Sequence, residues 1–192
     1  MNRIDRLFNG KNEEVLSIYM TAGYPELDAT VKILRALQDH GADMVEIGIP
    51  FSDPLADGPV IQHSSQVALS NGMNLKLLFS QLGDIRQTIR IPLVLMGYLN
   101  PILRFGMEDF LKKCSEVGID GVIIPDLPPD EYASDFRELF DRYDTRLSLL
   151  VTPHTTEDRI RKIAGLTGGF LYLVADASTT GAKASVQDHQ VE

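Results

Sequence analysis

The chain is predicted to be an α/β protein built on a parallel sheet, and three observations carry that prediction. Short apolar, β-branched runs start near residues 16, 43, 92, 120, 146 and 169. Amphipathic helical patterns fill the gaps between them. Most of the intervals are 23 to 28 residues, the length of one strand-plus-helix unit. Strict alternation of this kind implies parallel strands joined by right-handed helical crossovers. Pattern alone allows either an open doubly wound sheet or a closed (β/α)8 barrel.

Each element has its own justification. Arg3 to Phe8 places Ile4, Leu7 and Phe8 on one side of a short helix, and Asn9-Gly10-Lys11-Asn12 ends it. Leu16 to Met20 is a strand entering the loop Thr21-Ala22-Gly23-Tyr24-Pro25. Val31, Ile33, Leu34 and Leu37 mark a helix face that Gly41 stops. Asp43 to Ile49 is the second strand. Val60, Ile61, Val67 and Leu69 form a helix ended by Gly72, and Leu75, Leu77, Leu78, Leu82 and Ile85 form another. Two helices in one crossover explain the long wait for the third strand, 92–97. Tyr98-Leu99-Asn100-Pro101 is expected to be a loop, and Met107 to Val117 a helix closed by Gly118. Gly121 to Ile124 is the fourth strand, followed by Pro125-Asp126-Leu127-Pro128-Pro129 and a helix over about 130–143. Leu147 to Val151 is the fifth strand. Thr155 is the expected N-cap of the next helix, with Asp158 in its first turn. Phe170 to Val174 is the sixth strand, and 175–192 turns polar.

Composition narrows the function classes. With 192 residues, 44% of them hydrophobic, the chain can bury a sizeable core as a single domain. Eighteen basic residues against 27 acidic ones give a formal charge of −9, which argues against nucleic acid or an anionic membrane as the main partner. No apolar run approaches the ~20 residues of a membrane-spanning helix, and the charged start Met1 to Phe8 has no signal-peptide core. Cys114 is the single cysteine, so no internal disulfide can form and a reducing cytoplasm is the expected setting. The four histidines show no metal-ligand spacing, and no dinucleotide or Walker glycine loop is present.

The stretch around which the chain is organised is Val45 to Pro59. It starts as a buried strand carrying a glutamate, Glu46, whose burial without a partner is costly. It then breaks at Gly48 and Pro50 into a loop with two more carboxylates, Asp53 and Asp57. One acid on a strand and another returned by the following loop suit acid/base chemistry. The same residues also read as a hydrogen-bonded buried acid and ordinary Asp-Pro and Asp-Gly turns.

The wording of that stretch resembles the tryptophan synthase α subunit family. Glu46-Ile47-Gly48 and Phe51-Ser52-Asp53-Pro54-Leu55-Ala56-Asp57-Gly58-Pro59 match the family's signature with almost no gap. The likeness extends to Tyr19-Met20-Thr21-Ala22-Gly23-Tyr24-Pro25, Met96-Gly97-Tyr98-Leu99-Asn100-Pro101, Pro125-Asp126-Leu127-Pro128 and Tyr172-Leu173-Val174. All of these lie at C-terminal strand ends, the face where barrel active sites assemble.

The resemblance implies a (β/α)8 TIM barrel. Six βα units are visible, so the expectation is one barrel domain over residues 1–192 lacking its last two units. The glycine-rich strand ends that hold a substrate phosphate in the family then fall outside the sequence. The implied activity is a lyase reaction, cleavage of indole-3-glycerol phosphate to indole and glyceraldehyde 3-phosphate, with indole passed to a β subunit. Glu46 is the implied proton donor and Asp57 the ionised carboxylate facing the indole N–H. The implied substrate slot comprises Tyr19, Met96, Ile123, Val151 and Tyr172, and core packing accounts equally well for each. Thr180 and Gly181 match the end of the family's lid, although Ala175 and Ser178-Thr179 depart from its usual Val-Ser and Gly-Val.

Asp53, Pro54, Asn100, Pro101, Asp126 and Pro128 are implied to meet β in an αββα assembly. Pyridoxal phosphate is carried by β, with no cofactor or metal in this chain. Two alternatives remain: a different phosphosugar isomerase or aldolase, and a non-catalytic activator of β.

Overall fold

The computed structural model describes residues 1–11, 13–54 and 57–174. Five parallel strands, β1 (Ser17–Thr21), β2 (Met44–Gly48), β3 (Leu93–Met96), β4 (Gly121–Ile123) and β5 (Arg146–Ser148), lie side by side in chain order. A further parallel pair joins β6 (Leu150–Val151) to β7 (Tyr172–Leu173). Strictly sequential order is the barrel pattern; a doubly wound sheet reverses direction at a switch point. The strand order therefore selects between the two architectures that periodicity left open.

The helices are α1 (Arg3–Gly10), α2 (Ala29–Asp39), α3 (Pro59–Ser70), α4 (Leu75–Gln81), α5 (Leu99–Phe105), α6 (Met107–Val117), α7 (Pro129–Glu131), α8 (Arg137–Arg142) and α9 (Glu157–Leu166). A π-helical turn, Tyr132–Phe136, runs between α7 and α8. Gly118 closes α6 in the left-handed conformation at φ 80°, which only glycine adopts at little cost.

Three expectations are corrected by the structure. Tyr98 to Pro101 is not a loop throughout, because α5 begins at Leu99. Pro101 is tolerated there since an N–H in the first helical turn has no intrahelical acceptor to lose. Asp126 Oδ1 caps the same turn, accepting the Leu99 N–H at 2.8 Å. The fifth strand is interrupted at Leu149, whose N–H goes to the Thr167 hydroxyl (3.1 Å) rather than to a neighbouring strand. Thr156, not Thr155, is the N-cap of α9; the Thr155 hydroxyl instead accepts the Thr152 N–H at 2.9 Å.

Alternation along the strands divides the core in two. Val45, Ile47, Leu93, Leu95, Val122, Ile124 and Leu147 point outward, against Leu34, Leu78, Phe79, Phe110 and Phe140 of the helices. Met44, Val94 and Ile123 point inward, and Ile4 of α1 packs with them as a plug. Asn2 fastens that plug: its side chain accepts the Ile4 N–H and donates to the Asp120 and Asp144 carbonyls, each at 2.9 Å.

Asp120, 3% exposed, completes the fastening. It accepts from Arg3 at 3.0 Å, from Arg86 at 2.5 Å and from the Leu93 N–H at 3.0 Å. Removing this carboxylate takes an acceptor from the Leu93 N–H and from two guanidiniums, of which Arg86 keeps the Gly118, Ile89 and Ile91 carbonyls. Asp120→Ala is therefore expected to cost about 2–3 kcal/mol, discounted from a fully buried pair because Arg3 is partly solvated. Urea denaturation checks this as a lowered midpoint at unchanged slope.

Candidate active site

The inward face of β2 delivers Glu46 to the interior of the sheet's concave side. The strand is buried along its whole length, and Glu46 itself is 5% exposed. In register it sits between Tyr19 of β1 and Val94 of β3. Ser17, two residues before Tyr19 and so on the same face of β1, donates its hydroxyl to Glu46 Oε1 at 2.7 Å. The Tyr172 hydroxyl of β7 also donates to this carboxyl. Burial pushes the Glu46 pKa above the ordinary carboxylate value, and the two hydroxyl donors pull it partway back. Burial first, and the contact with Glu46 after it, drive the Tyr172 phenol up to about 12, so it stays a donor across the working pH range.

Asp57 arrives from the loop after β2, two residues before α3 begins with Pro59 at its first position. Its N–H bonds the Pro54 carbonyl at 3.0 Å, and its own carbonyl accepts from the Gln62 amide at 2.8 Å. The Tyr98 hydroxyl donates to its carboxyl, while burial raises its pKa. The N-terminus of α3 just beyond favours its charged form. Tyr19 lies between the two acids: both act on its phenol, whose pKa burial raises first and their charges raise further.

Gly48 makes this arrangement possible. A Cβ there would run into the Tyr19 ring and hydroxyl, so the ring lies directly over the backbone where β2 ends. Gly48→Ala is expected to push Tyr19 out of place and to cost about 1–3 kcal/mol. A thermal melt reads the stability loss, and a raised KM reads the displaced ring.

Not every expected slot residue reaches the interior. Tyr19 and Met96 line a small cavity of about 20 Å³ together with Asp57, Phe51, Tyr98 and Pro125. Ile123 is wholly buried in the inner core, where Met96, Leu150, Phe170 and Tyr172 pack around it. Val151, by contrast, belongs to the outer core against the helices, and its neighbour Leu150 takes the inward position. A one-residue step along a strand reverses the face. Thr180 and Gly181 lie outside the described residues. Asp53, Asp126 and Pro128 are exposed on the loops after β2 and β4 and Asn100 in the first turn of α5, with Pro54 and Pro101 half-buried beside them.

Ser17, Tyr98 and Leu150 were not singled out by sequence reasoning. A serine inside an apolar strand, on the parity of Tyr19, was the available signal for the first. A much larger cavity, about 820 Å³, opens outside the barrel between α3, α4, α5 and α6. It includes neither Glu46 nor Asp57, so size does not mark the chemistry. Among the described residues, no group of three or more His, Cys, Asp or Glu is placed to hold a metal ion, and no helix is long and apolar enough to cross a membrane.

Comparison with known proteins places the chain beside one family. The family described as Tryptophan synthase alpha chain matches residues 6–192. The tryptophan synthase alpha chain of Bacteroides fragilis is 55% identical over 183 residues, covering 95% of this chain and 70% of the relative. The crystal structure of tryptophan synthase subunit alpha from Legionella pneumophila str. Paris superposes with a TM-score of 0.85 at 37% identity, covering 91% of this chain and 68% of that one. A structure of Mycobacterium tuberculosis tryptophan synthase in space group F222 gives a TM-score of 0.88 at 30% identity, covering 99% and 74%.

Proposed function

Because the chain belongs to the tryptophan synthase alpha chain family, we propose that Glu46 and Asp57 carry the chemistry of its reaction. That reaction is the lyase cleavage of indole-3-glycerol phosphate to indole and glyceraldehyde 3-phosphate in tryptophan biosynthesis. The observation that carries the assignment is the pairing itself: a buried, hydroxyl-held Glu46 on β2, and Asp57 from the following loop, with Tyr19 between them.

The bond to be broken joins indole C3 to C3′ of the glycerol chain. It cleaves once C3 has gained a proton, because the departing electron pair can then return to the ring. Glu46, whose pKa burial raises above the ordinary carboxylate value, supplies it. Protonation places positive charge on the indole ring. Asp57, accepting the indole N–H, stabilises that charge as it develops. The carboxylate left on Glu46 then helps remove the C3′ hydroxyl proton, the aldehyde forms, and indole departs. Proton gain and loss balance, so the mechanism assigns no cofactor to this chain. Tyr19, Met96, Ile123, Tyr172 and Leu150, which replaces Val151, supply the apolar surface for the indole.

The partner is a β subunit, which in our reading carries pyridoxal phosphate in an αββα heterotetramer and receives the indole. Asp53, Pro54, Asn100, Pro101, Asp126 and Pro128 are the proposed contacts. They suit the role because the Asp126 cap on Leu99 ties two of these loops together at one rim. A reducing cytoplasm is the proposed setting.

Indole release from indole-3-glycerol phosphate, followed with and without a β subunit, tests the reading. Turnover by the chain, increased by β, is expected. Activation of β with no turnover of its own would leave only a binding role. Turnover of simple aldose or ketose phosphates instead would make it a different barrel enzyme.

A further inference from the structure

A hydroxyl facing a barrel interior needs a partner, because an unsatisfied one there costs what its lost hydration was worth. Ile18 and Met20 alternate with Ser17, Tyr19 and Thr21 along β1, so Ser17 shares its inward face with Tyr19 and Thr21; the Thr21 hydroxyl is paired with that of Ser64 at 2.7 Å. The register partner of Ser17 is Met44, not Glu46, and its Oγ nevertheless reaches diagonally to Glu46 Oε1 at 2.7 Å. From the other side Tyr172 of β7 donates to the same carboxyl. Two hydroxyls from separate strands therefore hold one side chain.

We propose that Ser17 is a positioning residue for Glu46, keeping its carboxyl in one orientation while the proton leaves and returns. The chemistry of a hydroxyl suits that task. It donates one hydrogen bond and accepts others, so it can donate to the carboxylate and accept from the carboxylic acid. An apolar residue at this position would leave Glu46 tethered only by Tyr172, free to rotate away from the reacting carbon. Ser17 itself touches neither the reacting bond nor Asp57. The inference rests on the assignment of Glu46 as proton donor.

The test is a pH–rate series on Ser17→Ala and Ser17→Thr beside Glu46→Gln. The titratable groups around Glu46 are Tyr19 on β1 and Tyr172 on β7, with Asp57 acting on Tyr19 from its loop; β3 presents only Val94 in register. Ser17→Ala is expected to lower kcat roughly tenfold with KM unchanged, since orientation rather than binding is lost. The carboxylate loses a donor, so the Glu46 proton is held more tightly and the limb on which rate falls with rising pH moves to higher pH. Ser17→Thr retains the hydroxyl and should restore both kcat and the limb. Unchanged kcat and an unmoved limb in Ser17→Ala, with Glu46→Gln inactive, would overturn this inference alone. A lowered kcat with no limb movement and no rescue by threonine would also overturn it, by making Ser17 merely structural. Full activity in Glu46→Gln would instead remove the reading beneath it.

Discussion

Glu46→Gln is expected to lower kcat about 10²- to 10⁴-fold, the range for loss of a positioned acid/base group, while the protein stays folded. The amide is nearly isosteric and can still accept from Ser17 and Tyr172, so the buried site remains hydrogen-bonded. What it lacks is a transferable proton. Stability separates this outcome from simple damage. The folded-state pKa of Glu46 is raised, so the folded protein binds this proton more tightly than the unfolded chain does. By linkage, stability falls as pH rises from the unfolded-state pKa towards the folded one. Glutamine has no such titration. Glu46→Gln should therefore melt at or above the wild-type temperature at mildly alkaline pH. Indole release measures the rate, and a thermal melt on the same sample measures the fold. An active variant would sink the proton-donor role, and a variant that is both inactive and unfolded would show that burial of the carboxylate is structural.

Asp57→Asn is the second large effect, with kcat falling about 10²- to 10³-fold, the scale for removing one group that faces developing charge. The argument differs from that for Glu46. Asparagine keeps the shape and can still accept from the Tyr98 hydroxyl, so the loop and α3 should hold their positions. The missing negative charge matters only once the indole ring becomes positive. Because that interaction is made in the transition state, kcat and kcat/KM should fall together. A rise in KM at constant kcat would mean that Asp57 only binds substrate. Burial raises the Asp57 pKa, so the wild type should also lose rate as pH drops through that value, and Asp57→Asn should lose this acid limb.

Much of this site could be read directly from the chain. Glu46 in an otherwise apolar run signals a buried acid with a purpose, and Asp57 follows within a loop that glycine and proline delimit. The βα alternation was equally legible, because strand and helix periods differ and each helix carries its own apolar stripe. Other features were not. Helix α5 was hidden by Asn100 and Pro101, which resemble turn residues until Asp126, 27 positions away from Leu99, is seen to cap it. The choice between Leu150 and Val151 was also hidden, since both are apolar and adjacent.

By itself, then, the sequence determined the alternating elements, the two acids, the apolar character of their surroundings and the lone buried thiol. Those properties are local, set by side-chain period and by the conformational limits of glycine and proline. Only the tertiary structure decided strand order, the Ser17 and Tyr172 hydroxyls converging on Glu46, the Tyr98 contact to Asp57, and which of two neighbours faces inward. Alternation defines two faces but does not say which one is the interior. That is settled by register between strands far apart in the chain, and in β5 and β6 by a single N–H diverted to Thr167.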